Sequence, residues 1–279
     1  MDHKSGDVKS GCNLAKARRR YAAQVVGPDA SRRLEAAFAH VRRELFLPPP
    51  PWTIYRGGAA LVTSDPESLY QDALVAIDID KGVNNGQPSL HAQWLSAIDP
   101  KPGERVLHVG CGGGYYTAIL AALVGPRGRV LAYEIEPAVA ALAKSALAGL
   151  SNVAFHGGSG AAGPFPPVDV IYVNAAAGAP ERAWVQALAP GGRLIFPWRH
   201  GGDGEAATLI ARSQEAERLR FAALTLGGVS FITMRDAAQP KAPASDYARA
   251  LRVRELVLRR DRAPDALCIA DFDWAWFSA

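Results

Sequence analysis

Apolar and polar residues follow two different periods in the middle of the chain. Short apolar runs typical of buried strands alternate there with segments in which apolar residues recur every three or four positions, as in amphipathic helices. The predicted strands are residues 105–109, 129–134, 153–155, 168–174 and 193–196. The predicted helices are residues 88–98, 115–124, 137–150 and 181–188. This alternation predicts a mostly parallel sheet with helices on both faces.

The region before this alternation is predicted to be mainly helical. Residues 18–26 and 31–45 suggest two helices, preceded by a frayed terminus at residues 1–15. The apolar face of the second helix comprises Leu34, Phe38, Val41 and Leu45. Consecutive prolines at residues 48–51 end the helical region, and residues 74–79 form a short β-like run.

Further β-like runs follow the alternating region without a strong helix between them. They comprise residues 207–212, 219–226 and 229–233, which predict an antiparallel edge to the sheet. The aromatic tail at residues 271–279 is expected to pack on the domain. The pattern as a whole predicts an α/β Rossmann-like fold with a mostly parallel sheet, an antiparallel edge, a helical N-terminal addition and a short C-terminal extension.

Charge and composition limit the partners and the compartment. The net charge is +4, and we interpret the basic clusters as solvated helix faces because acidic and apolar residues interleave with them. Nucleic acid is therefore not a predicted partner. Because the first twenty residues are polar and basic and no run of about 18 apolar residues follows, we expect a cytoplasmic protein without membrane association.

Cysteines and histidines give no sign of a metal centre or a disulfide framework. Cys12, Cys111 and Cys268 are odd in number and far apart, which favours a reducing compartment. The spacing of His91, His108 and His156 does not match that of metal ligands, so we expect histidines of the core or of hydrogen-bond networks. No metal is predicted.

The candidate chemistry lies where strand 105–109 meets helix 115–124, in the sequence VLHVGCGGGYY. Glycines at positions 110, 112 and 114 let a ligand approach the backbone and the free amides of a helix N-terminus. Tyr115 stands where a dinucleotide fingerprint requires a glycine, so the pyrophosphate pattern is absent. Glu134 ends the next strand, where a carboxylate can accept hydrogen bonds from both ribose hydroxyls. The pattern predicts a nucleoside ligand such as S-adenosylmethionine.

The order of the motifs between about Arg43 and Met234 resembles the protein-L-isoaspartate O-methyltransferase family. The segments that carry the resemblance are VLHVGCGGGYYTAILAALVG, VLAYEIEP, PVDVIYVNAAA at 167–177 and LAPGGRLIFPW at 188–198. The resemblance implies a class I methyltransferase that uses S-adenosyl-L-methionine. Together with the pattern along the chain, we expect an N-terminal helical region with an acceptor-side loop over residues 1–98, a cofactor-binding domain over 99–235 and a packed C-terminal extension over 236–279.

The same resemblance implies which residues bind the cofactor. They are His108, Gly110, Cys111, Gly112, Gly114, Tyr115, Tyr116, Glu134, Ile135, Gly158, Ser159 and Asn174. Either Tyr115 or Tyr116 could face the sulfonium cation, and packing of the helix on the sheet is an equal alternative. Two positions depart from the family pattern: His108 replaces an acid, and Gly157-Gly158-Ser159 replaces a Gly-Asp-Gly segment.

The acceptor-side loop departs further. It reads GVNNGQPS at residues 82–89 where the family has roughly GQTISQPH, so Gly86 replaces a serine and Asn84 a threonine. Asn84, Asn85 and Gln87 are the candidate catalytic residues, because their amides can both donate and accept hydrogen bonds. Alternatively, the asparagines only form a turn before the helix at Pro88.

Three functions remain open on these residues. The first is a carboxyl O-methyltransferase that acts on isoaspartyl residues or another carboxylate of a peptide or protein. The second is a small-molecule or peptide-tailoring O- or N-methyltransferase, favoured by the altered acceptor loop. The third is a non-catalytic module that binds the cofactor or a partner. The expected partner is a peptide, protein or small-molecule methyl acceptor, and the oligomeric state is left open.

Overall fold

A computed structural model of the protein describes residues 4–201, 204–215, 219–236 and 246–279, with side chains from residue 13 onward. Its helices are α1 (Lys4–Val26), α2 (Arg32–His40), α3 (Pro88–Ile98), α4 (Tyr115–Val124), α5 (Pro137–Leu147), α6 (Arg182–Ala187) and α7 (Tyr247–Ala250). Its strands are β1 (Trp52–Arg56), β2 (Ala59–Thr63), β3 (Leu74–Asp78), β4 (Val83–Asn84), β5 (Arg105–Val109), β6 (Arg129–Glu134), β7 (Val153–Gly157), β8 (Val168–Val173), β9 (Leu188–Gly201), β10 (Gly204–Arg212), β11 (Phe221–Val229), β12 (Glu255–Leu258), β13 (Cys268–Asp271) and β14 (Ala275–Ser278). Short 3-10 turns span Arg43–Phe46 and Pro66–Leu69.

The central sheet has ten strands within the described ranges, in the order β13-β14-β12-β11-β10-β9-β8-β5-β6-β7. Strands β9, β8, β5, β6 and β7 pair in parallel. From β9 to β13 every pairing is antiparallel. The predicted fold class, a Rossmann-like mostly parallel sheet with an antiparallel edge, is therefore confirmed.

Apolar side chains cover both faces of this sheet. Along β8, Val170 and Tyr172 join the core beneath α1 to α4, while Ile171 and Val173 join the opposite core with α6 and the C-terminal strands. This alternation follows from the two-residue period of a strand. A parallel sheet buried on both faces explains why its strands are nearly continuous apolar runs.

A second, antiparallel sheet lies before the central one and was not predicted, apart from β3. Its order is β2-β1-β3-β4 among the described residues. Strands β1 and β2 form a hairpin joined by Gly57 and Gly58, which both have positive φ angles. Its second strand is largely exposed, so the hairpin lacks the clear alternation of buried and exposed residues by which a strand is recognised.

Both predicted N-terminal helices differ from the structure. Helix α1 begins at Lys4, well before residue 18, so the frayed terminus predicted for residues 1–15 is wrong from Lys4 onward, and Leu14 already packs against the core. Helix α2 ends at His40, because Val41 is extended and a 3-10 turn follows. That turn directs Arg43 into the core and leaves Leu45 52% exposed, so Leu45 is not part of the apolar face.

Two differences concern the C-terminal part. Residues 229–233 do not form a strand beyond the end of β11, and Thr233 makes only an isolated bridge to Ala176. The aromatic tail packs as expected, as strand β14 of the central sheet. No helix in the described part of the chain is both long and apolar enough to cross a bilayer.

Candidate active site

A cavity of about 820 Å³ lies at the carboxyl ends of β5, β6 and β8. Strand β5 is flanked by β6 on one side and β8 on the other, so the direction of strand succession reverses there. Open α/β sheets bind ligands in the crevice at such a switch point. All residues that were predicted to bind the cofactor or the acceptor line this cavity, except His108 and Gly114.

The turn between β5 and α4 forms the floor of the cofactor side. The amides of Gly110 and Cys111 both donate to the carbonyl of Tyr133, at 2.9 Å. Gly112 has a φ angle of +57°, and a β-carbon there would have Ile77 as its nearest neighbour, at 3.8 Å. Gly112 thus leaves room for a ligand to approach the backbone.

The two following glycines serve packing instead. A β-carbon on Gly113 would overlap the carbonyl oxygen of Phe46, so the 3-10 turn of Arg43–Phe46 can approach only a glycine. A β-carbon on Gly114 would lie 3.0 Å from the side chain of Leu147. Gly114 therefore lets α5 pack against the start of α4, and it does not line the cavity.

Glu134 connects the end of β6 to the glycine turn. Its Oε2 accepts from the amide of Gly112 at 2.8 Å, and its Oε1 accepts from the amide of Glu136 at 3.0 Å. Glu134 is 8% exposed and lines the cavity. A carboxylate has about four lone-pair sites, so two remain for hydroxyl donors.

His108 lies behind the cavity wall. Asn174 Nδ2 donates to His108 Nε2 at 2.9 Å, which places the imidazole proton on Nδ1, 2.9 Å from the hydroxyl of Thr117. Burial lowers the pKa of His108 to about 3, so the ring is neutral. The Oδ1 atom of Asn174 has no hydrogen-bond partner among the described residues. His108 therefore orients Asn174, whose unpartnered oxygen can accept a hydrogen bond from a ligand.

The remaining predicted cofactor residues surround the turn. Ile135 is 39% exposed at the cavity, and the amide of Gly158 donates to the carbonyl of Glu134 at 2.8 Å. Ser159 Oγ accepts from the amide of Ala161. Tyr115 is fully buried, with its hydroxyl 3.2 Å from that of Tyr21, so its ring packs α4 against α1.

Two of the acceptor-side candidates already have hydrogen-bond partners in the protein. Asn84 accepts from the amide of Gly86 at 2.9 Å and donates to the carbonyl of Gly82, as a turn residue does. Gln87 is exposed and donates to Asp72, at 3.0 Å. Asp72 also accepts from the amide and hydroxyl of Ser89, and so fixes the first turn of α3.

Asn85 differs from Asn84 and Gln87, because it is buried and only the oxygen of its amide has hydrogen-bond partners. Its Oδ1 accepts from Arg43 at 2.9 Å and from the amide of Val75 at 3.1 Å. Its Nδ2 has no hydrogen-bond partner among the described residues, although Asn85 lines the cavity. A buried unpaired donor costs about 1–3 kcal/mol, which a ligand oxygen would recover.

Arg43 is a fully buried cation that sequence reasoning did not identify as part of the site. Its guanidinium donates to the carbonyls of Leu69, Gln71 and Ala73 and to Asn85, and it forms no ion pair with a described carboxylate. The rings of Tyr21 and Tyr115 lie 5.9 and 5.8 Å from it. The positive charge is therefore uncompensated directly behind the Asn85 amide.

His91 and Tyr116 form a second buried pair on the acceptor side. Their rings stack at 3.6 Å with an interplanar angle of 16°. The hydroxyl of Tyr116 donates to the carbonyl of Gly86 at 3.4 Å. His91 was expected to be a core or hydrogen-bonding histidine, and it is buried, but it also lines the cavity.

Charged residues that were not predicted bridge three segments of the cavity wall. Glu136, which follows β6, pairs with Lys81 of the acceptor-side loop and with Arg235, the latter at 2.7 Å. The hydrogen bond from Lys81, followed by that from Arg235, lowers the pKa of Glu136. Phe231 and Met234 complete the wall because their segment binds the loop after β8 through Ala176 instead of joining the sheet.

The sequence profile of the protein-L-isoaspartate(D-aspartate) O-methyltransferase family matches residues 30–239. A protein-L-isoaspartate O-methyltransferase from Aeropyrum pernix is 39% identical over 172 residues, which are 60% of this chain and 60% of that protein. One from Methylorubrum populi is 37% identical over 57% of this chain and 73% of its own length. The chain thus spans less than two thirds of the archaeal relative.

Solved structures agree with these matches. A protein-L-isoaspartate O-methyltransferase structure superposes with a TM-score of 0.66 at 25% identity, covering 78% of this chain and 65% of that one. A structure from Plasmodium falciparum in complex with S-adenosyl-L-homocysteine has a TM-score of 0.59 at 19% identity, covering 80% of this chain and 97% of that one. The second supports the fold alone.

Proposed function

Since the chain belongs to the protein-L-isoaspartate(D-aspartate) O-methyltransferase family, we propose that it transfers a methyl group from S-adenosylmethionine to a carboxylate of a peptide or protein. The observation that carries this proposal is the buried, unpartnered Nδ2 donor of Asn85, a residue that lines the cavity. Behind it lies the guanidinium of Arg43, which has no carboxylate partner among the described residues. An unpaired donor backed by a cation favours an anionic acceptor.

The cofactor side fits S-adenosylmethionine, which supplies an electrophilic methyl group on a sulfonium. Glu134 retains lone pairs for the two ribose hydroxyls after accepting from two backbone amides. Asn174 offers its unpartnered Oδ1, and Gly112 leaves space for the ligand above the turn. The glycine turn does not match the dinucleotide fingerprint, because Tyr115 stands where that fingerprint requires a glycine.

The acceptor side supports displacement without a general base. A carboxylate with a pKa near 4 is already deprotonated at neutral pH, so no proton has to move. One of its oxygens forms the new bond to the methyl carbon while the carbon–sulfur bond breaks and sulfur keeps the electron pair. The chain then has only to align donor and acceptor, which Asn85 does by binding the carboxylate while the buried Arg43 holds the Asn85 oxygen.

The direct test is transfer of labelled methyl groups to an isoaspartyl peptide, the matching aspartyl peptide and a protein extract. Carboxyl methyl esters hydrolyse in mild base, whereas N-methyl and aryl ether products survive. Because Gly86 provides no hydroxyl, we expect slow transfer to generic isoaspartyl peptides and faster transfer to a preferred acceptor in the extract. Base-stable product would support the small-molecule or N-methyl alternative, and cofactor binding without product would support a binding module.

Asn85→Asp tests the acceptor assignment with minimal change in shape. The carboxylate can keep the bonds to Arg43 and to the amide of Val75 but replaces the free donor by a negative oxygen. We expect ester formation to fall by about 100-fold or more, while S-adenosylhomocysteine affinity and the melting temperature are retained. The neighbouring Asn84→Asp is the matched control, because that amide is engaged within its own turn. Equal losses in both variants would contradict the assignment.

A further inference from the structure

The space above Gly86 is filled by a residue from the next element. A β-carbon on Gly86 would overlap Nε2 of His91 and lie 2.8 Å from its Cδ2. The imidazole edge therefore occupies the position that a side chain at residue 86 would take. Asn85 directly precedes Gly86, and Asn85, Gly86 and His91 all line the cavity.

The orientation of the His91 ring is fixed by uncharged neighbours. Tyr116 stacks on one face at 3.6 Å. Trp94 and Phe231 lie near it at centroid distances of 6.2 and 6.1 Å. On the opposite edge, Nδ1 lies 2.7 Å from the hydroxyl of Tyr172. A ring held in this way can present Nε2 in only one direction.

The hydrogen-bond pattern also determines which nitrogen carries the proton. Tyr172 is fully buried, and His91 Nδ1 is the partner of its hydroxyl within the described residues. A buried hydroxyl proton needs an acceptor, so Tyr172 donates to Nδ1 and the imidazole proton lies on Nε2. Burial, followed by the nearby positive charge of Arg43, lowers the pKa of His91 well below its usual range, so the ring stays neutral.

The Nε2–H group is itself unused by the protein. It has no hydrogen-bond partner among the described residues. We propose that Nε2–H of His91 is a second acceptor-side donor, which binds the carboxylate together with Asn85 and turns one oxygen toward the methyl group. This inference rests on the proposed function, because it assumes a carboxylate acceptor.

Nitrogen-15 NMR of labelled imidazole groups tests the donor without relying on turnover. We expect His91 to keep the Nε2–H tautomer between pH 8 and pH 5.5. In protein saturated with S-adenosylhomocysteine, an isoaspartyl peptide should shift the Nε2 resonance. An Nδ1–H tautomer, titration of His91 within this range, or an Nε2 resonance that the saturating peptide leaves unchanged would overturn the inference.

Substitutions at His91 and Tyr172 distinguish the effect of the Nε2–H donor from the effect of the stacked ring. His91→Phe keeps the stacking but removes Nε2–H, and should lower kcat/KM for ester formation by about 10- to 150-fold, with unchanged S-adenosylhomocysteine affinity. His91→Gln places an amide donor near the Nε2 position and should recover part of the activity. Tyr172→Phe leaves His91 in place but removes the hydroxyl that donates to Nδ1. Both tautomers of His91 should then appear in the spectrum.

His40 provides the matched control, because it is an exposed histidine outside the cavity. His40→Phe and His40→Gln should change neither transfer nor the His91 resonances. Wild-type transfer by His91→Phe would overturn the inference. A wild-type protein that makes no base-labile product from any acceptor would instead refute the proposed function, and the tautomer measurement would still decide the state of His91.

Discussion

Adjacent glycines in the cofactor turn have different neighbours, so single substitutions at them should have different effects. Gly112→Ala places a methyl group in open cavity space at a positive φ angle, which costs about 1–2 kcal/mol in strain. Gly113→Ala forces a methyl group against the carbonyl of Phe46. We expect the first to lose S-adenosylhomocysteine binding with a small fall in melting temperature, and the second to unfold at a much lower temperature. Calorimetry and thermal melts distinguish them, and equal melting temperatures would contradict the packing role of Gly113.

Buried His108 should make the protein sensitive to mild acid. Its folded-state pKa of about 3 lies below the usual value of 6.5, so only the unfolded chain takes up this proton between those values. Stability is then complete above pH 6.5 and falls as the pH decreases toward 3, at up to about 1.4 kcal/mol per pH unit.

His108→Asn removes the titrating imidazole. The unfolding free energy of the variant should therefore decline less steeply between pH 6.5 and pH 5 than that of the wild type, even if its absolute value changes. Urea unfolding at several pH values measures both slopes. Parallel slopes in variant and wild type would show that His108 is not neutral in the folded protein.

At the scale of elements, the C-terminal strands continue the central sheet. Strand β14 pairs with β12, and Phe277 is fully buried against Trp198 and Phe272, at centroid distances of 4.8 and 5.2 Å. Phe277→Ala should therefore cost about 3–5 kcal/mol of unfolding free energy. Leu267→Ala, at a side chain that is 51% exposed, should cost less than about 0.5 kcal/mol. A small loss in both variants would mean that the last strand is dispensable for stability.

Sequence periodicity located the elements that surround the cofactor turn because their signals are local. The bounds of α3, β5, α4 and β6 coincide with the predicted ones, since apolar runs, glycines and prolines mark their ends. The β1–β2 hairpin escaped prediction because half of it is exposed. Arg43 and His91 were not assigned to the site because their roles depend on packing between segments far apart in sequence.

At the scale of the whole molecule, two structural layers meet at one cavity. The parallel strands supply the cofactor side, and the small antiparallel sheet with α3 supplies Asn85 and His91 on the acceptor side. Arg43 ties the acceptor side together, because it binds the chain between Leu69 and Ala73 as well as Asn85, and its guanidinium lies 5.8 Å from the Tyr115 ring of α4. The division into residues 1–98, 99–235 and 236–279 remains a prediction, although β12 to β14 extend the same sheet.

The bridge of Lys81 and Arg235 to Glu136 has a kinetic consequence. These ion pairs span the cavity wall and are partly exposed, Arg235 by 62%, so dissolved salt can weaken them. Residence time of the spent cofactor should therefore shorten as ionic strength rises. Arg235→Gln should speed dissociation of S-adenosylhomocysteine by up to about fivefold and reduce its dependence on salt, as measured by stopped-flow fluorescence. If the dissociation rate depends on salt in the same way in variant and wild type, these ion pairs do not affect the release of the product.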